Sequence, residues 1–168
     1  MNYLIVVDMQ NDFISGALGS EQAKSIVAAV VERVKNFDGM VIFTRDTHGE
    51  NYLKTQEGRL LPVEHCIKGT KGYDICDELL PYVENVVDKG SFGSLDLPEK
   101  IKKCRAKAEE IELCGLCTDI CVISNAVILK AAFPETKIVV NSALCAGVSE
   151  QSHLNALEAM KSVQIEIL

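Results

Sequence analysis

Leu113-Cys114-Gly115-Leu116-Cys117-Thr118-Asp119-Ile120-Cys121-Val122 leaves a strand-like apolar run, turns at Gly115 and enters a segment of helical period. Outward from it the same alternation repeats along the chain. Short β-branched runs at residues 2–7, 39–44, 85–88, 110–114, 137–141 and 164–168 read as six strands, and longer segments at 21–36, 73–80, 97–106, 118–132 and 150–161 read as helices. Within 21–36, Ile26, Val27, Val30, Val31 and Val34 recur at i, i+4 and i+8, the stripe of a helix lying on a sheet. Ser149 reads as the N-cap of the last helix. Strands alternating with helices imply βαβ units around a buried parallel sheet, an α/β fold. The length of 168 residues suits one domain, residues 1–168, and a single site.

Composition excludes several function classes. A formal charge of -7, with basic residues scattered rather than clustered, offers no footprint for a phosphate backbone, so no nucleic-acid partner is expected. The longest apolar runs, Tyr3–Val7 and Ile26–Val31, fall far short of the roughly 20 residues of a membrane span, and no basic leader precedes the first strand. Seven cysteines, an odd number without a secretion signal, point to reduced thiols in a cytoplasmic protein. One of them is then free to react.

The opening segment places Cys121 in the first turn of a helix, where the macrodipole and free N–H groups lower a thiol's pKa and can hold an oxyanion. Asp8, at the end of the first strand, is placed to accept the thiol proton, and Lys89, at the end of the third, to hold thiolate and carboxylate in register. Each alone also has an inert reading, since buried cysteines mostly pack, strand-end aspartates cap turns and lysines are mostly solvated. In open α/β sheets ligands gather at the carboxyl ends of strands, and these three residues, with Asp46, all follow strands.

Asp8-Met9-Gln10-Asn11-Asp12-Phe13, Lys89 before Gly90-Ser91-Phe92, and Gly115-Leu116-Cys117-Thr118-Asp119-Ile120-Cys121-Val122 occur together and in this order. The set resembles the isochorismatase-like cysteine hydrolase superfamily, which includes nicotinamidases. The resemblance implies a three-layer α/β/α fold with a six-stranded parallel sheet of Rossmann-like topology and helices on both faces. It implies a catalytic triad of Asp8, Lys89 and Cys121, a cis peptide between Leu116 and Cys117, and an oxyanion hole made by the N–H groups of Cys117 and Cys121.

Residues 46–70 form a long segment of weak periodicity holding two of the three histidines, and loops of this length in compact domains are usually functional. In an extended stretch Asp46 and His48 point the same way, and a second imidazole from the loop would complete a three-ligand site suited to zinc, iron or manganese. The alternative is that they order the surroundings of Asp8 by hydrogen bonds. The resemblance to nicotinamidases, carried by His65-Cys66-Ile67-Lys68-Gly69-Thr70, implies a divalent metal on Asp46, His48 and His65, with Glu57 as a further candidate.

The substrate is where the chain departs from nicotinamidases. It has no tryptophan, and Leu60-Leu61-Pro62-Val63-Glu64 precedes His65 where those enzymes usually carry one; Phe13 is the aromatic residue expected to bind substrate instead. The expected function is hydrolysis of a small-molecule amide through a thioester. A non-amide hydrolase of the same superfamily, acting for example on a vinyl ether, and a non-catalytic binding or thiol-sensing module are the alternatives. Cys-x2-Cys-x3-Cys at 114, 117 and 121 resembles a zinc or redox spacing, but Cys114 is expected on the strand, facing away from Cys121. Cys66, Cys76, Cys104 and Cys145 are read as packing residues, Thr118 and Asp119 as helix caps, and His153 as a surface or packing histidine. An apolar helix face left uncovered would make the chain a homo-oligomer.

Overall fold

The computed structural model describes residues 1–104 and 107–168. Six strands, β1 (Asn2–Val7), β2 (Met40–Asp46), β3 (Val86–Lys89), β4 (Glu110–Leu116), β5 (Lys137–Ala146) and β6 (Glu166–Ile167), form one sheet in the order β3-β2-β1-β4-β5-β6. Every pairing is parallel. The central strand explains the pattern: Tyr3 to Val7 are fully buried, as a strand covered on both faces requires, so its side chains are apolar without alternation.

The α-helices are α1 (Asn11–Ile14), α2 (Glu21–Lys35), α3 (Gln56–Leu60), α4 (Asp96–Lys103), α5 (Ile123–Ala132) and α6 (Glu150–Ser162). Ala23, Ile26, Val30 and Val34 bury the stripe of α2 against β4 and β5, while α4, α5 and α6 pack side by side. Right-handed crossovers place those three on the face opposite α2, because the chain moves one way from β1 to β2 and the other way from β3 onward. Capping is local chemistry: Ser20 accepts from the Ala23 N–H, and Ser149 and Ser152 form a reciprocal capping box.

Several boundaries differ from the sequence reading. Residues 73–80 are turns rather than an α-helix, because several backbone groups there and at Gly72 bond to the segment after β1: Asp74 O accepts from Asn11 N, Met9 O from Cys76 N, and Gly72 O from Asp12 N. Their buried Tyr73, Ile75, Cys76 and Leu79 mimic a helical stripe. β5 runs five residues past its expected end, since the polar pair Asn141-Ser142 lies beside an irregularity in the β4 register and pairing resumes at Cys145. β4 continues through Gly115 to Leu116, so Gly115 is a strand residue of positive φ rather than a turn. The helix expected over 97–106 is seen to Lys103, and its last two positions lie outside the described residues.

Candidate active site

The strand order reverses between β1 and β4, and the crevice that such a reversal opens at the carboxyl ends of the strands holds the polar groups. Asp8 follows β1, Lys89 ends β3 and reaches across β2, and Cys121 lies in a π-helical turn, Thr118–Val122, between β4 and α5. Lys89 Nζ stands 2.7 Å from Asp8 Oδ2 and 3.4 Å from Cys121 Sγ, and it donates to Ser91 O at 3.0 Å. All three side chains are buried. Thr44 of β2 fixes the carboxylate: its hydroxyl donates to Asp8 Oδ1 at 2.7 Å and accepts from the Asp8 N–H at 3.2 Å. Lys89 is the charge partner of the other carboxylate oxygen, Oδ2. The Leu116–Cys117 peptide is cis.

The charges settle into a defined resting state. Burial raises the Asp8 carboxyl, with Lys89 opposing, and burial pushes the Cys121 thiol well above its ordinary value, with Asp8 adding to the rise. Burial alone would lower Lys89, but the Asp8 carboxylate first, the Cys121 sulfur when ionised, and Asp46 outweigh it and favour the ammonium. The burial of Cys121 favours a neutral thiol over the preformed thiolate that a helix start suggests.

A second cluster adjoins the first. Asp46 Oδ2 lies 2.8 Å from His48 Nε2 and 3.5 Å from His65 Nε2, and Glu57 Oε1 is 3.7 Å from each imidazole Nε2. One ligand atom from each of these four residues falls within 4.8 Å of all the others. His65 Nδ1 lies 2.8 Å from Val63 O, which only accepts, so Nδ1 carries the proton and the Nε2 lone pair faces the cluster. Despite burial, which opposes ionisation, the two imidazoles and Lys89 hold the Asp46 carboxyl far below its usual range. Two imidazoles and two carboxylates, one imidazole already oriented from behind, fit a divalent transition metal.

The residues between Asp8 and Phe13 hold this cluster in place. Gln10, fully buried, donates to Asp46 O at 2.9 Å and Tyr73 O at 2.8 Å and accepts from Asp46 N at 2.7 Å. Asp12 Oδ2 accepts from Cys66 N at 2.8 Å, fixing the backbone beside His65. Phe13 sets its ring 5.6 Å from that of His65. A cavity of about 660 Å³ is lined by His48 and Glu57 of the second cluster and by Gly90, Ser91 and Ile120, the chain neighbours of Lys89 and Cys121. Neither Phe13 nor Asp8, Lys89 and Cys121 line it directly, and Phe92 does. The buried Asn125 holds that wall, accepting from Ser94 N and donating to Phe92 O and Cys121 O.

The model of the isochorismatase domain matches residues 2–168. The chain belongs to the isochorismatase family. Among family relatives, an uncharacterized protein of Bacillus subtilis is 33% identical, covering 92% of this chain and 91% of its own length. A nicotinamidase/pyrazinamidase of Mycobacterium tuberculosis is 28% identical over 100% of this chain and 98% of its own. Among solved structures, the pyrazinamidase of Pyrococcus horikoshii in complex with zinc superposes with a TM-score of 0.83 at 26% identity, covering 99% of this chain and 98% of that one.

Within this family member the residues singled out in sequence converge: Asp8, Lys89 and Cys121 meet in one group, and Asp46, His48 and His65 in the next, joined by a 3.4 Å contact from Lys89 Nζ to Asp46 Oδ1. Glu57 joins the second. Sequence reasoning missed Thr44 and Gln10; Gln10 stood inside a quoted motif, but nothing in its residue type shows which backbone it grips. Thr118 and Asp119 do not cap the helix. Thr118 Oγ1 pairs with His153 Nδ1 at 2.7 Å and Asp119 Oδ1 accepts from Val148 N at 3.0 Å, which ties the π-helical turn to α6. All seven cysteines are unpaired, and no helix among the described residues is long and apolar enough to cross a membrane.

Proposed function

We propose that the chain hydrolyses a small-molecule carboxamide, with Cys121 as nucleophile, Asp8 as proton carrier and Lys89 as the cation that keeps the pair together. The class, a hydrolase acting on a carbon–nitrogen bond, rests on the family and on relatives named as nicotinamidases. The observation that carries the residue roles is the buried Lys89 ammonium within reach of both Asp8 and Cys121 beside an open cavity.

Asp8 takes the thiol proton as sulfur bonds to the amide carbon, so the raised pKa of the thiol is met at the moment the thiolate is consumed. Negative charge on the carbonyl oxygen falls to the N–H groups of Cys117 and Cys121. Asp8 returns the proton to nitrogen, the carbon–nitrogen bond breaks, and ammonia leaves a thioester on Cys121. Water gives Asp8 a proton and attacks the thioester; the acid departs and the thiol is restored. Asp46, His48, His65 and Glu57 would hold a divalent ion, which when bound supplies a point of attachment for a substrate heteroatom or a water. Phe13, against His65, keeps that imidazole in place.

Acid-quenching turnover and weighing the intact protein tests the intermediate. Added mass equal to the acyl group, mapped to Cys121, is the expected result. Steady ammonia release with no acyl adduct on any cysteine would replace the thioester with direct attack by water.

A further inference from the structure

The cavity adjoins the reactive groups through Gly90, Ser91 and Ile120, and part of its wall is built from exposed apolar side chains. Leu60 is 80% exposed, Leu61 38% and Phe92 45%, yet all three line this one cavity together with the less exposed Ile120. A leucine mostly in water gains nothing from burial in this chain, and three large apolar groups facing one concavity mark a surface that a ligand covers. Their positions are fixed by polar contacts elsewhere. Tyr52, fully buried behind His48, donates to Leu61 O at 2.9 Å; Thr55 caps the short α3 that carries Leu60; and Asn125 holds the Phe92 carbonyl. The wall is thus apolar at its side chains and anchored at its backbone. At about 660 Å³ the cavity is of the size that takes drug-sized ligands, well beyond the needs of a single ring bearing one carboxamide.

We infer that the preferred substrates are carboxamides carrying an apolar substituent of several carbons, and that Leu60, Leu61 and Phe92 are the residues that select it. This deepens the reading of the site as an amide hydrolase and rests on it for the reaction but not for the binding. The polar side chains of Thr55 and Gln56 also line the cavity, so one side of the substituent stays against polar surface. Each methylene buried against the leucines then contributes a factor of up to about four in affinity.

The test is calorimetric titration of the zinc-loaded Cys121→Ala protein with nicotinamide, 5-butylnicotinamide and 6-butylnicotinamide, repeated in a background that also carries Leu60→Asn and Leu61→Asn. Because the two leucines are exposed, the double change leaves folding intact, which circular dichroism checks. At least one butyl compound is expected to bind about tenfold or more tighter than nicotinamide, and the double variant to bring that ratio down towards one. Butyl compounds that bind no better than nicotinamide, or a ratio that survives the double variant, would overturn the proposal. Ammonia release from the same compounds by the unmodified protein is read separately. Tighter butyl binding without release would count against the hydrolase reading and leave the apolar subsite standing.

Discussion

At the residue scale, Lys89 carries the greatest electrostatic consequence. Its ammonium is buried against two carboxylates and a thiol, and removing one member of a buried charge set leaves the others uncompensated. Lys89→Met is expected to destabilise the fold by about 3–5 kcal/mol in urea unfolding and to abolish turnover. A variant as stable as the parent would show that Asp8 and Asp46 are neutral in the folded protein. That Asp8, Lys89 and Cys121 belong together was legible, because three strand ends followed by three such residues converge in any parallel sheet. Gln10 was not legible, since a buried amide gripping the backbone of Asp46 is recognised only once the two strands lie side by side. Nor was the protonated state of the thiol. Residue type and a helix start indicate a thiolate, while the depth of burial, a tertiary property, pushes the other way.

At the scale of elements, the alternation of strand and helix was readable from hydrophobic period alone, and the six strands lie where the β-branched runs do. What failed was the segment 73–80, whose buried positions have helical spacing but whose backbone is claimed by residues 9–12. No local signal announces a long-range partner of that kind. β4 shows a second limit. Gly115 reads as a turn residue, whereas the strand passes through it with φ of 113° because the neighbouring strand lies too close for a side chain. A Cβ there would stand 2.2 Å from Val7 O, a backbone atom that cannot move without parting β1 from β4. Gly115→Ala is therefore expected to cost at least about 3 kcal/mol, through strain and displaced backbone together. Thermal unfolding that matches the parent would show that the two strands separate easily at this end.

At the scale of the whole molecule, the cysteines give the fold a pH limit. Burial raises the thiols of Cys66, Cys114 and Cys121 well above their ordinary value, Cys76 to about 11, and Cys117 and Cys145 to about 12. Unfolded thiols ionise near 8.5, so above that pH the unfolded chain releases protons that the folded chain keeps. The stabilisation is complete below pH 8.5 and is lost as pH climbs towards 11–12, at about 1.4 kcal/mol per pH unit for each thiol. Unfolding under reducing conditions should show stability falling steeply above pH 8.5, by on the order of 10 kcal/mol at pH 10 if all six thiols act, and a flat profile would mean that the thiols are wetter than their burial implies. The same view explains why the metal loop was readable only in part. Asp46 and His48 sit two apart on one extended stretch and announce each other, but Glu57 reaches the cluster only because α3 folds back beneath it.

Whether Cys121 cleaves a carbon–nitrogen bond is read from ammonia release from nicotinamide and its butyl derivatives by the protein supplied with zinc, iron or manganese, beside its Cys121→Ala variant. Release by the parent and a loss of at least about a thousandfold in the variant are expected, as when a nucleophile is removed. Equal release by the variant, or none by the parent from any of these amides, would contradict cleavage by Cys121.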